Sequence, residues 1–144
     1  MAAGVFHAPF ANSYRCAPGV SADQCAADAL AYIEDKILVH LVAPDEVAAI
    51  VVEPIQGEGG YIVPPPAFIQ GLARIAKQHG MMLVADEVQS GVGRTGKMFA
   101  IEHYGVQPDI VIIAKGIASG LPMGLTIARD AIMDWPAGTH SNTF

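Results

Sequence analysis

Four lysines occur in the chain, and one stands where an amine can do chemistry. Lys115 follows the apolar run Ile110-Val111-Ile112-Ile113-Ala114, whereas Lys36 and Lys77 fall on polar positions of helical patterns and Lys97 lies in a glycine-rich loop. An amine desolvated by apolar surroundings gives up its proton more readily and becomes a nucleophile. The plainer reading of Lys115 is a solubilising lysine at a strand end. Asp86 follows a second apolar run, Met81-Met82-Leu83-Val84-Ala85. It either caps the next element, faces solvent, or is a buried carboxylate held against a cation. Glu53 and Glu58 flank a third such place, in Glu53-Pro54-Ile55-Gln56-Gly57-Glu58-Gly59-Gly60. They belong to a solvated loop, or to one whose glycines let backbone approach a ligand closely.

The combination narrows the chemistry. A neutral amine forms a Schiff base with an aldehyde. Pyridoxal 5'-phosphate needs that lysine, together with a carboxylate beside its ring nitrogen to keep the nitrogen protonated. Asp86 and Lys115 are 29 residues apart, a spacing that suits one strand-helix-strand unit. A competing motif is Gly91-Val92-Gly93-Arg94-Thr95-Gly96-Lys97, which fits GxxxxGK. Met98 stands where that loop needs a magnesium-binding hydroxyl, and Asp86 to Ser90 separate it from its strand, so a nucleotide-hydrolase reading fails. The five histidines are scattered, with no third ligand near the Glu102-His103 pair, so no metal site is expected. No serine sits in a GxSxG turn.

These residues must be positioned by the elements around them. Residues 1–20 have no clear period and read as irregular. Ser21-Ala22-Asp23-Gln24 has the form of a capping box. Behind it Cys25, Ala29, Ile33, Ile37 and Leu41 recur every four residues, predicting a helix over 22–41 closed by Pro44. Ala48 to Val52 reads as a strand buried on both faces. Phe68, Leu72, Ile75 and Ala76 predict a helix over 66–79 that stops at Gly80. Met81–Ala85 and Ile110–Ala114 read as further buried strands, 97–104 as a short helix closed by Gly105, and Leu121–Ala128 as a fourth strand interrupted by Gly124. Strands alternating with helices predict an α/β fold with a mostly parallel sheet. Ligands in such sheets bind at the strand carboxyl ends, which is where Glu53, Asp86 and Lys115 fall.

Composition sets bounds. The chain of 144 residues is one ordinary domain, with 52% apolar and 15% charged residues, which excludes disorder. A net charge of -6, with no basic stripe, argues against a nucleic-acid partner. No stretch of eighteen apolar residues predicts a membrane span, and Met1 to Phe10 do not read as a secretory leader. Cys16 and Cys25 are too few for a disulfide scaffold and read as a loop residue and a core helix residue, so a reducing, cytoplasmic setting is expected.

The segments Glu53 to Gly60, Asp86-Glu87-Val88-Gln89-Ser90-Gly91-Val92-Gly93-Arg94-Thr95-Gly96 and Ala114-Lys115-Gly116 closely resemble the class III (omega) aminotransferases, 4-aminobutyrate aminotransferases among them. The motifs stand in family order and spacing, and the resemblance runs from about Asn12 to Phe144. It implies the large domain of a fold-type-I, pyridoxal-phosphate-dependent transferase, with a mostly parallel sheet and helices on both faces. It also implies a small-molecule amino donor, a 2-oxo acid acceptor, and a homodimer or higher homo-oligomer. By the same resemblance Lys115 matches the lysine that holds the cofactor and moves the proton. Asp86 matches the carboxylate on the ring nitrogen, Val88 the aliphatic residue on a ring face, and Gln89 the side chain near the ring hydroxyl. Glu53 and Glu58 match substrate-side glutamates, Glu58 the one that pairs with a distant arginine. Thr143 matches a threonine reaching the cofactor phosphate of the neighbouring subunit. Family subunits are far longer. The phosphate cup, the second stacking aromatic and the arginine partner of Glu58 have no match, so residues 1–144 are expected to be part of the cofactor domain and inactive in isolation. A racemase of the same family and a non-catalytic fragment are the alternative readings.

Overall fold

Ser21 begins the first helix as its sequence requires. Its side chain accepts a hydrogen bond from the Gln24 backbone N–H at 3.1 Å, satisfying one of the orphan donors of the first turn. The reciprocal half of the capping box is missing, because the Gln24 side chain donates to Asp28 instead. The structure, a computed structural model, describes residues 4–136, 138 and 139. Helix α1 (Ala22–Tyr32) runs into a π-helical turn, Ile33–Ile37, and a last short turn, α2 (Leu38–His40). The wider turn adds a residue to the repeat. Cys25, Ala29, Ile33 and Ile37 are buried as the four-residue spacing predicts, but the stripe continues at Leu38, and Leu41 is left 58% exposed.

Helix α3 (Pro66–His79) has the predicted bounds. Pro66 sits at its first position, where no N–H is needed, and Gly80 ends it at φ 70°, a left-handed conformation suited to glycine. Phe68, Ile69, Leu72, Ile75 and Ala76 form its buried face. They pack with Val52, Leu83 and Ala85 of the sheet and with Ala26, Ala29 and Ile33 of the first helix in one continuous core. Arg74 of α3 reaches back to Glu34 with two hydrogen bonds of 3.0 and 2.9 Å, which hold the Glu34 carboxyl below its usual range.

Among the described residues the sheet has four strands in the order β1 (Ala49–Val52), β2 (Met82–Asp86), β3 (Ile110–Ile113) and β4 (Leu125–Ala128). The first three are parallel and β4 runs antiparallel to β3, so the sheet is mostly parallel, in the α/β class predicted. Burial differs from expectation. The middle of β2 is buried, but β1 is an edge strand, and Val51 on its face away from α3 is 64% exposed. Three of the four residues of β3 are only half-buried. At the amino edge Asp109 joins the strands, accepting from Leu83 N–H at 2.8 Å and pairing with Arg129 beyond β4.

One expectation about the cysteines is corrected. Cys16 and Cys25 form a disulfide, with Cα atoms 6.2 Å apart. The turn through Gly19 folds the irregular segment back onto the start of α1, and a separation of nine residues gave no hint of it.

Candidate active site at the sheet's carboxyl edge

Parallel pairing of β1, β2 and β3 puts their carboxyl ends on one edge. Val52 pairs with Ala85 and Asp86 with Ile112, so Glu53 and Asp86 leave adjacent strands side by side, and Lys115 stands three residues beyond Ile112. The three residues singled out by strand position are therefore brought to one place.

Asp86 is half-buried at the end of β2, and its Oδ1 accepts from the Val88 N–H at 3.0 Å. That local bond is the capping role open to an aspartate here. Together with Glu53 and Gln56 it also lines a cavity of about 700 Å3 bounded by residues 4–10 and β1. Glu53 turns inward, and its Oε2 accepts from Gly57 N–H at 2.7 Å, so it shapes the glycine-rich turn. Glu58 stands exposed on that turn.

Lys115 opens a short 3-10 turn, Lys115–Ile117, at φ 47°, a left-handed conformation that costs a non-glycine residue about 1–2 kcal/mol. Its Nζ donates to Gln89 Oε1. The side chain is exposed, which corrects the expectation of a desolvated amine. The apolar run ends before Lys115, and no described residue closes over it. Val88 and Gln89 are half-buried on the loop between Asp86 and Lys115. Thr143 lies outside the described residues.

The support behind this edge went unnoticed in the sequence. Glu87 is 0% exposed, and both carboxylate oxygens are used. Oε2 accepts from Ser90 Oγ at 2.6 Å and Oε1 from Ile101 N–H at 2.8 Å, while the Glu87 N–H donates to Ile112 O at 2.8 Å. Gly91 N–H returns to Glu87 O at 2.9 Å, and a Cβ at Gly91 would lie 2.7 Å from that oxygen. Tyr104, in the 3-10 helix Ala100–Tyr104, donates through its hydroxyl to Pro54 O at 3.0 Å. Burial, and then the charge of Glu87, push the Tyr104 hydroxyl up to about 12. An Asp-Glu pair after an apolar run signals this arrangement only through the strand's alternation, which sends neighbours to opposite faces.

The set comprises an amine, a half-buried carboxylate, an aliphatic side chain and an amide around one edge. These are the groups that a pyridine aldehyde cofactor requires, so the residues fit such a cofactor. Lys97 does not point to a phosphate, since its Nζ donates to Glu102 O at 3.2 Å. Among the described residues no group of three or more His, Cys, Asp or Glu is placed to hold a metal ion. No helix of the described residues is long and apolar enough to cross a membrane.

Comparison with known proteins bears on the family and the fold. The family model described as aminotransferase class-III matches residues 1–144. A leucine/methionine racemase of Thermococcus litoralis is 45% identical over 130 residues, covering 90% of this chain and 29% of its own length. The 4-aminobutyrate aminotransferase GabT of Escherichia coli is 49% identical over 116 residues, 81% of this chain and 26% of its own. The structure of an omega transaminase from Pseudomonas jessenii in complex with PMP superposes with a TM-score of 0.83 at 32% identity, over 92% of this chain and 30% of that one. The chain thus spans under a third of the length of these relatives.

Proposed function

The chain belongs to the class-III aminotransferase family, and from that premise we propose that it contributes the cofactor-holding part of a pyridoxal-phosphate-dependent transaminase. The reaction moves an amino group from an amino acid or omega-amino acid, such as 4-aminobutyrate, to a 2-oxo acid. The observation that carries this reading is the convergence of Asp86 and Lys115 on one sheet edge, with Gln89 hydrogen-bonded to the lysine between them.

When bound, pyridoxal phosphate supplies an electron sink that makes the hydrogen on the amine-bearing carbon removable. Lys115 would hold the cofactor through Nζ, and the same atom would take and return the proton. Asp86 would keep a proton on the ring nitrogen, and its bond from Val88 N–H holds the carboxylate in place for that task. Val88 would pack on a ring face of the cofactor and Gln89 would stand beside its ring hydroxyl. Glu53 and Glu58 stand on the substrate side. By the same resemblance Thr143 would serve the cofactor phosphate of a neighbouring subunit in a homodimer or larger homo-oligomer. Residues 1–144 form part of a larger cofactor domain in a cytoplasmic enzyme.

The test is an amino-transfer assay of the full-length protein with 4-aminobutyrate and 2-oxoglutarate. The wild type is expected to turn over only with cofactor present, and Lys115→Ala to lose activity entirely. Undiminished turnover in Lys115→Ala would refute the reading. A second reading, racemisation, is favoured by the 45% identity to a racemase. It predicts inversion of a single amino acid without any 2-oxo acid.

A further inference from the structure

We propose that Gly57 is a positioning residue for Lys115, acting through Gln89. The proposal rests on Lys115 being the working amine, and it adds a requirement on a loop that does not touch the lysine. Gly57 is buried, and its φ is not in the left-handed region, so its backbone conformation is open to any residue. What the position demands is space. A Cβ at Gly57 would lie 2.6 Å from Cγ and 2.9 Å from Cβ of Gln89, closer than packed side chains come.

Both partners are tied by hydrogen bonds on their own loops. Gly57 is held by its N–H bond to Glu53 Oε2 at 2.7 Å, and its carbonyl accepts from Gly60 and Tyr61 N–H at 3.0 and 3.1 Å. Gln89 belongs to the loop fastened by Glu87, by Val88 N–H to Asp86, and by Gly91 N–H to Glu87 O. The Gln89 Cβ is bonded directly to that backbone, so turning the side chain does not move it out of the way. An added methyl at Gly57 must displace the Gln89 side chain, and the Gln89 side chain is what Lys115 Nζ is hydrogen-bonded to. The relay runs from Glu53 through Gly57 and Gln89 to Lys115. It ties the turn after β1 to the amine after β3.

The test uses the full-length protein freed of cofactor, treated briefly with acetic anhydride, with acetylation of Lys115 relative to Lys36 read by peptide mass spectrometry. Gly57→Ala should raise that ratio by about two- to tenfold, the range that a net hydrogen bond is worth. In a Gln89→Ala background Gly57→Ala should add nothing, because the route is already cut. Gly59→Ala is the control: its Cβ would meet only the amide end of Gln56, at 3.1 Å and beyond, and the ratio should not change. If Gly57→Ala does not yield folded protein, Gln89→Ala alone tests the last link of the route, and it should raise the ratio by about the same two- to tenfold. An unchanged ratio, or an equal rise with and without Gln89, would overturn the proposal. The readout needs no cofactor, so its failure is separable from failure of the transaminase reading, which is decided by turnover.

Discussion

The loop that leaves β2 and the loop that leaves β3 stand at the same sheet edge and are held in opposite ways. Residues 86–91 are fastened at almost every position, by Val88 N–H to Asp86, Glu87 N–H to Ile112, Ser90 and Ile101 to the Glu87 carboxylate, and Gly91 N–H to Glu87 O. Residues 115–120 have longer backbone bonds, 3.3 Å from Ile117 N–H to Ala114 O and 3.4 Å from Leu121 N–H to Ala118 O. Lys115 and Ser119 there take positive φ values of 47° and 46°. The carboxylate that must keep still for the proposed chemistry is on the fastened loop. The amine that must bind, release and carry a proton is on the lightly held one. The two loops meet where a Cβ on Gly116 would lie 3.5 Å from Val92, and where Gln89 accepts from Lys115.

The largest expected effect separates chemistry from structure on the fastened loop. Asp86→Asn keeps an oxygen for the Val88 N–H but loses the charge. Turnover should fall by about 10²–10³, the range for removing one preorganised electrostatic partner, while the thermal midpoint barely moves. A large loss of stability with near-normal turnover would make Asp86 a cap and nothing more.

Glu87→Ala should do the reverse. It leaves the buried Ile101 N–H unpaired and opens a hole beside Ser90, at a cost of about 2–4 kcal/mol by urea denaturation. The equivalent truncation on the other loop, Ser119→Ala, should cost well under 1 kcal/mol. Equal costs would erase the contrast between the two loops.

The smallest effect is in alkali. The Tyr104 hydroxyl titrates near 12 when folded and near 10 when unfolded. Its contribution is therefore complete below about pH 10 and is lost as pH rises toward 12, at about 1.4 kcal/mol per pH unit. Tyr104→Phe should be less stable at neutral pH, having lost its bond to Pro54, but should show a flatter alkaline limb. An unchanged limb would place Tyr104 outside the network behind Asp86.

Some of this was legible in the sequence because local chemistry decided it. Pro66 and Gly80 bracket α3, and the apolar runs mark β1, β2 and β3 within a residue or two. Strand ends follow from the runs, so Glu53, Asp86 and Lys115 could be assigned to one edge before any coordinates. What could not be read depends on packing at a distance. The π-helical turn at Ile33–Ile37 shifted burial from Leu41 to Leu38. Apolar runs suggest strands covered on both sides, yet β1 lies at the sheet edge and exposes Val51. The Cys16–Cys25 bond needed the turn at Gly19. The burial of Glu87 has no local signal, because its partners Ser90, Ile101 and Ile112 come from three different segments. The contact of Gln89 with both Gly57 and Lys115 joins three loops, and no spacing encodes it.

The central claim is that Lys115 is the amine that holds the cofactor. The most direct measurement is borohydride reduction of the full-length protein loaded with pyridoxal phosphate, followed by proteolysis and mass mapping of the pyridoxyl label. The account predicts stoichiometric label on Lys115 alone. Label on Lys97, whose Nζ donates to Glu102 O in the 3-10 helix Ala100–Tyr104, would contradict it.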